Sequence, residues 1–151
     1  MSLIEQIGKC RDILLTKDLK TVLKNIYLFE DVSNRTQRQV NKYTKNLDYE
    51  LEFNYHDLKE LAEEIFDFVK NYQTKFLFEY GQKELSKNKT ITNDILNNFN
   101  QAQCDIMYVD RKLREAYKII SYVALTAWLW TEQREQMELD WQVTQTIRSF
   151  L

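Results

Sequence analysis

Residues 106–130 read IMYVDRKLREAYKIISYVALTAWLW, and this stretch decides the fold. Ile106, Val109, Leu113, Ala116, Tyr117 and Ile120 recur at steps of three and four, the spacing that gathers side chains on one face of a helix. From Ile119 to Trp130 the residues are apolar on most sides, which predicts the central helix of a bundle. The run is too short to span a bilayer, which takes about 20 apolar residues. It also carries Ser121 and Thr126.

Working outward, the same period continues N-terminally through Ala102, Phe99, Leu96 and Ile95. Beyond Thr131 it resumes with Met137, Trp141, Ile147, Phe150 and Leu151. Upstream, Leu58, Leu61, Ala62, Ile65, Phe66, Val69, Tyr72, Phe76, Leu77 and Tyr80 predict a long helix near 55–87, with Asn54 as its N-cap. Ser86 to Asn93 reads as a loop, with Thr92 as a cap for the C-terminal helical region. Near the start, Ser2 is the expected N-cap of a first helix carrying Leu3, Ile7, Cys10 and Ile13. A turn at Thr16–Asp18 leads to a second helix with Leu19, Val22, Leu23 and Ile26. Its apolar pattern fades from Asp31 to Gln39. Either Thr36 and Gln39 form a capping box that restarts the helix, or one helix spans 18–47 with a solvated middle. Residues 47–55 alternate like a strand, yet no second strand signal exists to pair with it, so an irregular turn is expected.

The composition agrees with helices. Among 151 residues there is no proline and there are two glycines, so the tight turns of a sheet protein have few residues to draw on. The expected architecture is all-α: a single-domain bundle (residues 1–151) of about 4–6 helices. The seams are not sustained heptads, which favours a globular bundle over an extended coiled coil.

Charge is segregated. The formal net charge is −2, but residues 35–46 hold four bases and no acid, while 47–70 hold eight acids against Lys59 and Lys70. Arg35, Arg38, Lys42 and Lys45 share a helix face, and Asp57, Glu60, Glu64 and Asp67 repeat their spacing. In an antiparallel hairpin the register sets Arg35 against Asp67, Arg38 against Glu64, Lys42 against Glu60 and Lys45 against Asp57. An internal seam is therefore expected there, with a partner-binding or phosphate-tracking face as the alternatives. A second basic stripe, Arg111, Arg114 and Lys118, has no such mirror. With Tyr108 and Tyr117 nearby to stack on bases, it is the better nucleic-acid candidate.

Catalytic signals are missing. His56 is the only histidine, and nothing in the sequence nominates a nucleophile or second acid–base group beside it. No Glu-x-x-His, HExxH, GxSxG, P-loop or GxGxxG occurs, so neither a metal nor another cofactor is expected, and no enzyme. Cys10 and Cys104 lack metal or redox spacing and read as reduced thiols. With a start that lacks a signal peptide's basic and apolar regions, this points to the cytoplasm.

Three functions remain. The first is a non-catalytic helical interaction subunit or adaptor that docks protein partners. Its anchors would be Trp130, Trp141, Phe150 and Leu151, since Trp128 and Trp130 cannot share a helix face and a Phe-Leu end either packs or docks. The second is a small helical subunit of a nucleoprotein complex, holding a single strand against Arg111, Arg114, Lys118, Arg35, Arg38 and Lys42. The chain has the general size and class of the small helical subunits of CRISPR effector complexes, a likeness of architecture with no motif behind it. The third is an inhibitor or immunity protein that offers Glu60 and Glu64 to a basic site. None needs a membrane or a small-molecule substrate.

Overall fold

A computed structural model describes residues 1–71, 82–83 and 93–151. Those residues are helical and irregular, with no strand among them, and the all-α class holds. The helices are α1 (Leu3–Leu15), α2 (Leu19–Lys24), α3 (Ile26–Lys45), α4 (Tyr55–Asn71) and α5 (Asn93–Phe150). Of the expected long helix near 55–87, α4 is the described part. Its continuation over 72–81 and 84–87, and the Ser86–Thr92 loop, lie outside the described residues.

Local chemistry sets the helix starts. The Ser2 hydroxyl accepts the Glu5 N–H at 3.2 Å and caps α1 as expected. The Asn54 side chain accepts the His56 N–H at 2.8 Å, and its carbonyl accepts from Leu58 at 3.2 Å, so α4 begins where its cap predicts. Residues 46–54 form no strand: they make a turn that folds back on α3 and buries Phe53.

The 18–47 region is two helices, but the break falls at Asn25 rather than at Thr36. The expected capping box does not form. Thr36 is fully buried and donates to the Val32 carbonyl at 2.7 Å, and Ser33 donates to Phe29 at 2.8 Å. These four-residue back-bonds satisfy both hydroxyls inside the helix, so the stretch that looks solvated belongs to the core. Gln39 reaches sideways instead. Its Nε2 donates to the Glu52 carboxylate, and its Oε1 accepts the Glu52 N–H, both at 2.9 Å, which fastens the 46–54 turn to α3.

α5 is the spine. α3 and α4 both pack along its middle, and α1 packs on both of them. The buried stripe of α5 is Val109, Leu113, Ala116, Ile120, Val123 and Ala127. It shares one core with Leu58, Leu61, Ile65 and Phe68 of α4, Phe29, Val32 and Val40 of α3, and Leu3, Ile7 and Cys10 of α1. Each large apolar side chain so buried stabilises the fold by about 1.5–3 kcal/mol. Burial also pushes the Cys10 thiol up to about 12, so it stays neutral.

The expected hairpin seam is replaced by a three-helix arrangement. α3 and α4 reach each other chiefly through α1 and α5, and none of the four mirrored ion pairs forms among the described residues. α1 supplies the partners. Arg11 grips Glu64 through Nε and Nη2 at 2.9–3.1 Å and reaches Glu60 through Nη1 at 3.1 Å. The hydrogen bond to Glu64 holds the Arg11 guanidinium above its usual range. On the other side, Gln6 donates to Asp31 at 2.7 Å and accepts from Arg35. Two residues of α1, Gln6 and Arg11, thus answer charges on both flanking helices.

Candidate interaction surface on the long helix

At 58 residues, α5 is about 87 Å long, more than the bundle can cover. Cover ends near Thr131, whose hydroxyl shares a 2.9 Å hydrogen bond with Tyr43. Arg134 makes the last tie. Its guanidinium lies 3.6 Å from the Tyr43 ring and donates to the carbonyls of Tyr43, Asn46 (2.7 Å) and Tyr49 (3.3 Å). It closes off the carbonyl end of α3, where a cation is favoured.

Every residue from Glu135 to Leu151 is exposed. The segment 135–150 is about 24 Å of helix. Its apolar side chains fall on two opposite faces. Met137 (50% exposed) and Trp141 (63%) continue the stripe that is buried further up as Val123 and Ala127. Leu139, Val143 and Phe150 continue an outer stripe that begins beside the bundle with Tyr122, Leu125 and Leu129, all half-exposed or more. A lone helix with two uncovered apolar faces presents surface that partners cover.

The anchors expected from sequence divide accordingly. Trp141, Phe150 and Leu151 lie on this projecting segment, while Trp130 is half-buried at its root. Trp128 faces elsewhere: with Tyr55, His56, Lys59, Tyr117 and Leu125 it lines a groove of about 430 Å³ between α4 and α5. The His56 and Tyr55 rings lie 4.3 Å apart and tilted by 38° at the rim of that groove. The outer stripe of Tyr122, Leu125 and Leu129 was not evident as a site in the sequence. Its signal is the three–four spacing, masked where Glu132 and Gln136 interrupt it.

The basic and acidic candidates are partly spoken for. Arg114 is held by Asp110 through two 3.0 Å contacts, and Lys112 bonds Glu30 at 2.8 Å, which raises its pKa. Arg111 lies over the Tyr108 ring at 5.6 Å. Lys118 and Arg114 join Lys70, Phe66, Val69 and Tyr117 around a second groove of about 480 Å³. Arg35 turns inward to Gln6 and the Met1 carbonyl, away from the exposed Arg38 and Lys42, so the first stripe does not act as one surface. Glu60 and Glu64 both face Arg11, so the acidic face is partly neutralised from within. Among the described residues no three His, Cys, Asp or Glu side chains converge as a metal site would require, and no helix is long and apolar enough to cross a membrane.

Compared with protein-family models, curated proteins and solved structures, the chain finds no match.

Proposed function

We propose that the chain is a non-catalytic helical interaction subunit, which anchors a protein partner on the segment of α5 beyond the bundle. The observation that carries this reading is the exposure of Met137 and Trp141 on the continuation of the core stripe. An aromatic anchor with an adaptable Met beside it suits the centre of a protein contact. Arg134 supports the reading too, because it fixes the root of the projecting helix and so lowers the ordering cost of docking. The two unpaired thiols, Cys10 and Cys104, fit a reducing compartment such as the cytoplasm.

The test is capture from the native cells, with and without nuclease, comparing the natural chain with a Met137→Ser/Trp141→Ala variant. A nuclease-resistant protein held by the natural chain and lost by the variant is the expected result. Equal capture by both chains would remove this segment from the partner site.

A second reading is single-stranded nucleic acid at the Phe66–Tyr117 groove, favoured by the aromatic floor beneath Lys70, Arg114 and Lys118. It predicts capture that is lost with nuclease and weakened by salt. Charge reversal at Arg111 and Lys118 would weaken it further.

A further inference from the structure

We infer that the outer stripe of α5 pairs with the same stripe of a second copy of this chain, antiparallel, to make a two-fold dimer. The stripe is Tyr122, Leu125, Leu129, Leu139, Val143 and Phe150, interrupted by Glu132 and Gln136. Its steps alternate between three and four from Tyr122 to Val143, and the stripe lies opposite the face that carries Met137 and Trp141. The inference therefore goes beyond the docking surface proposed above and does not need it.

Self-complementarity supplies the occupant. With the two-fold axis beside Arg134, Leu125 meets Val143 of the second copy and Leu129 meets Leu139. Tyr122 meets Thr146, and Glu132 meets Gln136, a carboxylate opposite an amide donor. The interruptions therefore face each other and leave no carboxylate against an apolar side chain. Every layer also joins the two alternating positions of a seven-residue repeat, as antiparallel helix pairs require. A two-fold contact uses one patch twice, and this patch fits itself.

Area is sufficient. The six apolar residues are 50–85% exposed. They expose roughly 700 Å² per copy, so about 1,400 Å² at most is available across both, against the range of about 1,200–2,000 Å² seen for stable interfaces. The bundle leaves room: Leu125 and Trp128 form one wall of the 430 Å³ groove, so the incoming helix lies along α5 with α4 to one side. Two meetings are unfavourable: Phe150 falls level with Lys118, and Glu135 flanks the axis and faces Glu135 of the second copy, so replacing Glu135 by a neutral residue tightens the dimer.

The experiment is sedimentation equilibrium on the full chain, joined to disulfide trapping in a Cys104→Ser background. The natural chain sediments as a dimer at micromolar concentration. Leu129→Glu weakens self-association by roughly 100-fold or more, because it buries an unpaired charge at the contact, while the helical signal stays unchanged. Glu135→Gln strengthens it. Leu129→Cys with Leu139→Cys traps a covalent dimer, whereas Leu129→Cys with Phe150→Cys does not. Trp141→Ala leaves association unaltered, which separates this contact from the docking face. A natural chain that stays monomeric at 100 μM or above, or trapping by the out-of-register pair alone, overturns the inference.

Discussion

Replacing Arg11 by Met keeps the apolar stem of the side chain and removes its donors. Three nitrogen–oxygen contacts with Glu64 and one with Glu60 would be lost. The Arg11 side chain is 33% exposed and that of Glu64 28%, so the pair is neither buried nor fully solvated. Exposed ion pairs contribute about 0–1 kcal/mol and charge-assisted hydrogen bonds about 1.5–3 kcal/mol. A two-pronged pair at this depth falls between, so Arg11→Met costs about 1–2 kcal/mol, or a few degrees in Tm for a chain of this size. The informative quantity is coupling. A double-mutant cycle of Arg11→Met with Glu64→Gln, read by urea unfolding at low salt, yields about 1 kcal/mol. The cycle of Arg38→Met with Glu64→Gln yields zero within about 0.5 kcal/mol. If Glu64 coupled more strongly to Arg38 than to Arg11, α3 and α4 would pair directly and α1 would not join them.

Single residues give the other expected outcomes. Gly8 is exposed in α1, and a Cβ there meets nothing within 4 Å, so Gly8→Ala raises stability by about 0.5–1 kcal/mol in thermal unfolding. Native thiol labelling at pH 8 modifies Cys104 and spares Cys10, and denaturant exposes both. The Cys10 thiol is raised from 9.0 to about 12 by burial, so its stabilising contribution is complete below pH 9 and is lost as pH climbs toward 12. A Cys10→Ala chain shows a flatter decline over that window. Arg134→Lys cannot reproduce the close guanidinium contact with the Tyr43 ring or the fan of carbonyl contacts, and costs about 2 kcal/mol in urea unfolding.

Helices were legible in the sequence wherever apolar residues kept their period and a cap marked the start. Ser2, Asn54 and the run from Val109 to Ala127 illustrate this. What misled was polarity. Thr36 and Ser33 look like surface residues because their back-bonds to Val32 and Phe29 exist only once the helix has formed. The charge mirror between α3 and α4 assumed that helices adjacent in sequence are adjacent in space. A single arginine on α1 carries no stripe to advertise it, yet Arg11 is what Glu60 and Glu64 face. The projecting end of α5 was half-legible: Trp141, Phe150 and Leu151 stood out as anchors, while the outer stripe hid behind Glu132 and Gln136.

Amide hydrogen exchange, comparing the chain alone with the chain bound to its captured protein partner, tests the docking role most directly. Slowed exchange concentrated between residues 135 and 150 is the predicted result. Unchanged exchange there, with protection gained instead around Arg111–Lys118 or along α4, would contradict it.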